Sequence, residues 1–511
     1  MKKLVKNNNN NKKLITLFIV VSIVCGFQAR SEPTVKNSKE FINKLEVNVP
    51  KIMDEYFVPG VAVAVIQNGE IVHKRGYGYS DLSKNKRVTT STGFNIGSIS
   101  KTVAAWGVMR LVEEGKLSLD APVEKYLKRW HLPSTKFDAK GVTIRRLLSH
   151  TAGLPSRYYP GWGPDDELPS LEESLSGTKV RSGAVRLVME PGKHYQYSGG
   201  GYTLLQLLIE EVTGQRFEDY MRDQILTPLG MLKSSFTLSP EIVSASSVGY
   251  DRWGQPTPIL RFTAMAAAGL HTTIEDLGKF AIATMKGPNS EIAGRGLLTP
   301  DTIIEMLTPA AATESSFGLG YTVDRLPNGM VTNGHRGANK GWHAYLNFVP
   351  ETGDGIIVTS NGTNGSYVDS QIVCMWTQWV SGSESDPGCK KAKPVAVEMY
   401  STIKEKGVGA AIKQYHQLKK MSPMDYEFDE GQLNTLGYGL LGQNENEGAI
   451  EILQLNTTLF PASENAFDSL AEVYMYSGRN PLAIQNYNNV LGLNPKNRHA
   501  QNMLKKLTKG N

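Results

Sequence analysis

Cysteine, excess charge and long apolar runs are all scarce in this sequence. Only 3 of its 511 residues are cysteines, and its formal net charge is +6. All of this excess lies in residues 1–31, which hold six basic residues and no acidic one, so the rest of the chain is neutral overall. A neutral chain has no surplus of positive charge with which to bind a phosphate backbone. Nucleic-acid binding is therefore not expected.

The longest apolar run, LITLFIVVSIVCGF at residues 14–27, is shorter than the about 20 residues that a membrane-spanning helix needs. Lysines precede this run, and Ala29-Arg30-Ser31 follows it with small residues at a spacing suited to cleavage. Together these parts predict a signal peptide over residues 1–31, and hence a secreted or periplasmic protein with no stable membrane span. An uncleaved N-terminal anchor is the alternative.

The sequence offers little for redox or metal chemistry. Without the leader, Cys374 and Cys389 are the remaining cysteines, and either a disulfide or two buried free thiols fits their spacing. The nine histidines lack the paired spacing of a zinc site, so no metal and no cofactor are expected. We interpret His150, in LLSHTAGL, as a structural histidine.

Residues 32–385 mix strand and helix patterns. Alternating apolar segments at residues 61–78, joined by an Asn-Gly pair, predict a β-hairpin, and residues 343–362 predict a second one. Helical patterns lie between them, such as residues 202–214, which end at a glycine. The pattern predicts an α/β (α+β) fold, in which helices flank an antiparallel sheet whose first and last strands are neighbours.

After a predicted linker at residues 386–399, residues 400–511 repeat with a period of 34. A shift of 34 places Leu433, Leu436, Gly437, Leu440, Ala449, Leu453 and Pro461 on Phe467, Leu470, Ala471, Tyr474, Ala483, Tyr487 and Pro495. This pattern resembles tetratricopeptide repeats, which are pairs of packed helices. Because two repeats and a fragment are few for an independent solenoid, we expect this region to pack on the main domain. The repeats could also bind a protein partner.

One serine stands out by its position. Ser-x-x-Lys occurs four times, at Ser83, Ser98, Ser176 and Ser401. Only Ser98, in FNIGSISKTVAAW, precedes a segment that is apolar on nearly every face and therefore predicts a buried helix.

The spacing of Ser98 and Lys101 suits nucleophilic catalysis. Residues i and i+3 share a helix face, so the amine can reach the hydroxyl. Burial lowers the pKa of a lysine, and a neutral amine can take the proton that makes a serine hydroxyl a poor nucleophile. A helix-capping serine beside a solvated lysine is the alternative interpretation.

Two later motifs complete a pattern. Tyr197 precedes a glycine-rich turn into a helix, and His335-Arg336-Gly337 lies at the predicted start of a strand. In the order Ser98, Tyr197, His335, the motifs resemble those of the serine β-lactamase and penicillin-binding-protein superfamily. The resemblance is to the branch of class C β-lactamases, DD-peptidases and related esterases, and it covers about residues 40–385.

The resemblance implies a role for each catalytic candidate. Ser98 would be the acylated nucleophile and Lys101 its proton acceptor. Tyr197, as a phenolate or through Lys101, would relay the proton and later activate water. His335 would help to hold the substrate carboxylate or the proton network of the tyrosine.

The resemblance also implies substrate-binding positions. Gly337 would let the substrate lie against the strand, and the Ala338 N–H would complete an oxyanion hole with that of Ser98. Gly199 departs from the family, which usually has an asparagine there to bind the substrate amide. A missing partner for a buried amide costs roughly 1–3 kcal/mol, so strong β-lactamase activity is not expected.

The sequence thus predicts an exported serine hydrolase that acts through an acyl-enzyme on a small-molecule or peptide substrate. D-peptides of cell-wall type, β-lactams and small esters are the expected substrate classes. The alternative is a weak or inactive hydrolase fold that binds peptides or proteins, with the repeats as its working surface.

Overall fold

A computed structural model describes residues 37–155, 161–179, 183–383, 389 and 392–509. The predicted signal peptide lies outside these ranges. Within them, no helix is both long enough and apolar enough to cross a bilayer.

The strands, in chain order, are β1 Gly60–Gln67, β2 Glu70–Asp81, β3 Lys86–Arg87, β4 Gly93–Asn95, β5 Gly249–Tyr250, β6 Pro256–Thr257, β7 His271–Thr273, β8 Thr322–Arg325, β9 Val331–Asn339, β10 Trp342–Val349, β11 Asp354–Ser360, β12 Lys393–Pro394 and β13 Tyr426–Glu427. The helices of the first part of the chain are α1 Ser38–Glu55, α2 Ile99–Glu113, α3 Ile144–Leu148, α4 Leu171–Ser176, α5 Gly199–Thr213, α6 Phe217–Met221, α7 Pro240–Ala245, α8 Met265–Ala268, α9 Ile274–Ala283, α10 Pro300–Leu307 and α11 Gly365–Ser381. They are followed by α12 Val395–Lys406, α13 Val408–Met421, α14 Glu430–Gly442, α15 Asn446–Leu459, α16 Glu464–Tyr476, α17 Asn480–Leu493 and α18 Arg498–Lys509.

A seven-stranded sheet with the order β3-β2-β1-β11-β10-β9-β8 organises the first part of the chain. Its neighbouring strands are antiparallel. The first strand, β1, pairs with β11, with Val63 opposite Val358. The prediction that the first and last strands are neighbours is therefore confirmed.

Both predicted hairpins are present. The strands β1 and β2 are joined at Asn68 and Gly69, whose φ angles of 51° and 76° are positive. Positive φ at both central residues is the requirement of a tight hairpin turn, and Asn-Gly satisfies it best. The second hairpin consists of β10 and β11, in which His343 pairs with Ser360 at one end and Val349 with Asp354 at the other.

Helices cover both faces of the sheet, which explains why β1 reads as an uninterrupted apolar run. Val61, Val63 and Val65 face a core formed with α1 and α11. Ala62 and Ala64, which alternate with them, face the larger core that contains α2, α5 and α9. The predicted fold class is confirmed.

The C-terminal helices repeat as the sequence predicts. The helices α14 and α16 begin at 430 and 464, and α15 and α17 begin at 446 and 480, so both pairs recur after 34 residues. The small residues of the repeat, Gly437, Ala449, Ala471 and Ala483, are buried. A Cβ added to Gly437 would lie 2.6 Å from Leu453, so this glycine lets α14 and α15 approach closely.

The C-terminal helices pack on the main domain through Trp253, which belongs to their apolar core. The Tyr400 hydroxyl donates a hydrogen bond to the Trp253 carbonyl at 3.4 Å, and the Tyr400 ring meets Phe57 edge-on at 5.4 Å. A Cβ on Gly439 would lie 2.0 Å from the indole nitrogen. The expected packing of this region on the main domain is confirmed.

The segment between the main domain and the C-terminal helices contains the start of α12 and one half of a disulfide. The helix α12 begins at Val395, inside the segment predicted as a linker, because Val395 and Ala396 are buried in the C-terminal core and Val397 in the core of α1 and α11. The domain boundaries themselves stay a prediction. Cys374, on α11, forms a disulfide with Cys389, which decides between the two states that the sequence left open.

Trp253→Ala is expected to lower the free energy of unfolding by about 3 kcal/mol, because it removes a buried aromatic from this contact. It should also speed hydrogen exchange in α12 and α14. Chemical denaturation and exchange mass spectrometry measure the two effects. Tyr476→Ala is the control, since this aromatic is 65% exposed and its loss should change stability by less than about 0.5 kcal/mol. Equal effects of the two variants would contradict the assigned packing.

Candidate active site

Ser98 lies immediately before α2, half-buried at the mouth of a cavity. Its side chain makes no capping hydrogen bond to the first turn of α2 in the described structure. Instead its Oγ accepts a hydrogen bond from Lys101 Nζ at 3.0 Å. The alternative interpretation, a helix-capping serine beside a solvated lysine, is therefore wrong.

Lys101 is 2% exposed because α2 is packed on nearly all sides by apolar side chains. Its Nζ also donates to the carbonyl oxygen of Ala267, on α8, at 2.6 Å. Burial lowers the pKa of Lys101 to about 7, since the ammonium form loses its hydration. At neutral pH a substantial fraction of this amine is uncharged and can accept a proton.

Tyr197 lies just before α5, with its ring centre 5.0 Å from Lys101 Nζ. Its hydroxyl is hydrogen-bonded to Ser98, and burial raises the pKa of the phenol above its ordinary value. A neutral phenol is a poor base at neutral pH. Of the two routes that the resemblance implies, the geometry thus favours proton transfer through Lys101 over a phenolate.

His150 packs against the ring of Tyr197. The Ser198 N–H donates to His150 Nδ1 at 3.1 Å, and the rings of His150 and Tyr197 lie 4.3 Å apart. Burial lowers the pKa of His150 well below its ordinary value, so the ring is neutral. These contacts agree with the interpretation of His150 as a structural histidine, but its contact with Tyr197 was not predictable from local sequence.

His335 lies in the middle of β9, which begins at Val331, so the predicted strand start is wrong. Its Nδ1 lies 2.6 Å from the Arg336 carbonyl, so Nδ1 carries the proton and Nε2 is the acceptor. Burial lowers the pKa of His335 to about 3. A neutral imidazole has no charge with which to hold a carboxylate, and its ring lies 6.0 Å from that of Tyr197. The geometry favours the role in the tyrosine network.

The backbone of β9 passes directly against the loop before Ser98. A Cβ on Gly337 would lie 1.8 Å from the Ile96 carbonyl oxygen, and a Cβ on Gly97 would lie 2.5 Å from the Ala338 nitrogen. Glycine at both positions is what permits this approach. It places the backbones of Ser98 and Ala338 on one cavity, as an oxyanion hole requires.

The cavity at Ser98 has a volume of about 400 Å³. Six of the seven predicted site residues line it, namely Ser98, Lys101, Tyr197, Gly199, Gly337 and Ala338. His335 instead lines a neighbouring cavity of about 380 Å³, which also borders Tyr197.

The sequence did not predict several residues that also line the cavity. They are Ala267, Ala268, Arg336, Asn339, His343, Ala344, Tyr345, Ser366, Asp369 and Ser370. Arg336 belongs to the His335-Arg336-Gly337 motif, so its place in the cavity could have been predicted from the sequence. The α11 residues carry no local signal, because only the fold brings that helix to Ser98.

Comparison with known families identifies the chain. The family described as "Beta-lactamase" matches residues 45–371, more than half of the sequence. The chain belongs to the β-lactamase family. The serine β-lactamase and penicillin-binding-protein resemblance is therefore confirmed.

Two relatives of this β-lactamase family member each share less than a third of the aligned residues. "Protein flp" of Staphylococcus aureus (strain NCTC 8325 / PS 47) is 26% identical over 340 residues, which are 63% of this chain and 64% of that protein. "Putative penicillin-binding protein PbpX" of Bacillus subtilis (strain 168) is 29% identical over 57% of this chain and 69% of its own length. The chain thus spans less than two thirds of the Staphylococcus protein.

Solved structures share the fold. The octameric penicillin-binding protein homologue from Pyrococcus abyssi is 28% identical, with a TM-score of 0.56, over 71% of this chain and 82% of its own. A β-lactamase/D-alanine carboxypeptidase from Pseudomonas syringae is 17% identical, with a TM-score of 0.54, over 66% of this chain and 99% of its own. The second likeness concerns the fold alone.

The rate at which a fluorophosphonate labels Ser98, by forming a phosphonate ester, is expected to rise with pH, with a midpoint near the Lys101 pKa of about 7. The amine accepts a proton only when uncharged, and raising the pH through its pKa increases that form. Stopped-time labelling between about pH 5 and pH 9 measures the profile.

Lys101→Arg should slow this labelling at least ~100-fold, because arginine stays protonated. Lys116→Arg is the matched control, since Lys116 is exposed just beyond α2 and pairs with Glu114. A flat pH profile in the wild type, or full labelling of the Lys101 variant, would count against Lys101 as the base.

Proposed function

We propose that this protein is an exported serine hydrolase that acts through an acyl-enzyme on Ser98. The observation that carries the proposal is the 3.0 Å hydrogen bond between Ser98 Oγ and the buried amine of Lys101. Nucleophile and base are in contact before any substrate binds, as nucleophilic catalysis requires.

The reaction begins when Ser98 Oγ attacks the substrate carbonyl carbon while Lys101 Nζ accepts the hydroxyl proton. The resulting oxyanion is stabilised by the N–H groups of Ser98 and Ala338. Collapse of this intermediate breaks the bond between the carbonyl carbon and the leaving group. The leaving group takes the proton from Lys101, and Tyr197 relays it when the leaving atom lies on the Tyr197 side of the cavity. Water then attacks the carbonyl carbon of the ester on Ser98 and gives up a proton to Lys101. The bond between this carbon and Ser98 Oγ breaks, the acid is released, and Lys101 returns the proton to Ser98 Oγ.

The substrate class is an amide or ester with a small acyl group. The match to the β-lactamase family and the penicillin-binding protein homologue among the structural neighbours support β-lactams and D-peptides as candidates. Gly199 lines the cavity without a side-chain amide to bind a substrate amide. Esters and weakly held peptides therefore fit better than rapid β-lactam hydrolysis.

Export is part of the proposal. The signal-peptide pattern of residues 1–31 supports it, and so does the disulfide between Cys374 and Cys389, because disulfides persist in oxidising compartments. The mature protein would be secreted or periplasmic.

A second candidate function is a binding module in which the C-terminal helices recognise a protein or peptide. The 34-residue repeat of α14 to α17 favours it, because stacked helix pairs of this kind form extended binding surfaces. The two functions are compatible, since the repeats are separate from the cavity at Ser98.

Ser98→Ala is expected to abolish both hydrolysis of p-nitrophenyl acetate and covalent labelling by a fluorophosphonate or a fluorescent penicillin. Intact mass spectrometry and peptide mapping should show the adduct on Ser98 in the wild type. Ser401→Ala, a serine with the same Ser-x-x-Lys spacing on α12, is the control and should keep both activities. Activity that survives in the Ser98 variant would refute the hydrolase, and tight peptide binding without any adduct would favour the binding module.

Gly199→Asn is expected to speed acylation by nitrocefin about tenfold. An asparagine here would supply the side-chain amide that the family usually has, and one hydrogen bond worth about 1.4 kcal/mol corresponds to that factor. Gly199→Ala is the control, since it adds a Cβ without an amide. Single-turnover kinetics measure both, and equal rates in the two variants would show that the missing amide does not limit acylation.

A further inference from the structure

Asp369 lies in the first turns of α11 and lines the same cavity as Ser98. It is 4% exposed, and its Oδ1 has no hydrogen-bond partner among the residues that the structure describes. Burial raises the pKa of its carboxyl well above the ordinary value, and Arg336 and Ser360 oppose this effect. A buried carboxyl without a full set of partners is costly, so this group needs an explanation.

A buried aspartate with a purely structural role is expected to have hydrogen-bond or charged partners for both carboxylate oxygens. Asp276 is equally buried, at 1% exposure, but its carboxylate is fully engaged. It accepts hydrogen bonds from the Lys233 N–H at 2.7 Å and the Ser234 hydroxyl at 3.0 Å, and it pairs with Lys279 Nζ at 2.8 Å. Asp369 is also buried, but it borders the cavity at Ser98, and its Oδ1 has no hydrogen-bond partner among the described residues.

The nearby cation does not neutralise Asp369 directly. The Arg336 guanidinium lies over the ring of Tyr345, 4.8 Å from its centre, and donates to the Tyr345 hydroxyl at 3.5 Å. Both side chains line the cavity with Asp369. The space in front of Asp369 therefore suits a ligand group that brings both positive charge and hydrogen-bond donors.

We propose that Asp369 is a specificity-determining residue that binds a free amino group of the substrate. Without a ligand, burial favours the protonated form of this carboxyl. An ammonium group offers three donors and a positive charge, which would favour the ionised carboxylate and bind it. A substrate carboxylate at this point would be repelled, and an acylated amine would offer one neutral donor. The preferred substrates are thus amides, esters or short peptides of amino acids that carry a free ammonium, a preference that rests on the proposed hydrolase function.

The test compares alanine p-nitroanilide, in D and L forms, with the N-acetyl form of each. The wild type is expected to show a kcat/KM at least about tenfold higher for the free amine, because a desolvated charge pair contributes that much or more. Asp369→Asn keeps the shape of the side chain but removes its charge, and it should bring this ratio close to one.

Asp324→Asn is the matched control. Asp324, on β8, is another carboxylate that feels the charge of Arg336, but it lines the neighbouring cavity and not the one at Ser98. Its loss should leave the substrate ratio within about twofold, which separates a contact at Asp369 from a general change in charge near Arg336. A ratio near one in the wild type, or a ratio that survives in Asp369→Asn, would overturn the proposal.

A binding measurement keeps this inference separate from the proposed reaction. In the Ser98→Ala variant, alaninamide should bind at least about tenfold more tightly than propionamide, which lacks only the amino group, as measured by calorimetry. Adding Asp369→Asn should remove the difference. If the wild type hydrolyses nothing and yet this difference is present, the hydrolase fails and the amine site stands. If p-nitrophenyl acetate is hydrolysed and the difference is absent, the amine site fails alone.

Discussion

The amine of Lys101 is held away from water, against the hydroxyl of Ser98, and this contact sets the conditions for everything else in the site. A solvated lysine is an ammonium at neutral pH and cannot accept a proton. The pKa of Lys101 falls to about 7 because α2 is enclosed on nearly all sides. Within the described residues the amine donates hydrogen bonds to Ser98 and to the Ala267 carbonyl. The buried helix is therefore a requirement of the chemistry as much as of stability.

The rest of the fold brings a strand to that helix. Gly97 and Gly337 leave room for β9 to pass against the loop before Ser98, so that Ser98 and Ala338 line one cavity. The strand is held in place by a sheet in which β11 pairs with β1, so both ends of the domain must fold together before the site is complete. The C-terminal helices pack on Trp253 and leave the cavity at Ser98 accessible.

Two residues of the cavity bear on the choice of substrate. Gly199 takes away a side-chain amide that would bind a substrate amide, and Asp369 adds a buried carboxyl from a helix at the other end of the domain. The reacting groups and the surfaces that select the substrate thus come from different parts of the chain. This separation allows substrate preference to change while the contact between Ser98 and Lys101 stays the same.

The features that were predictable from sequence are those set by residues close together along the chain. Residues three apart on a helix share a face, which predicted the contact between Ser98 and Lys101. An Asn-Gly pair favours a tight turn, which predicted the first hairpin, and a 34-residue period predicted the stacked helix pairs. The raised pKa of Tyr197, the place of His335 in the neighbouring cavity and the position of Asp369 in the cavity at Ser98 depend on the tertiary structure. These properties arise from desolvation and contact between segments far apart in sequence, and no local pattern encodes them.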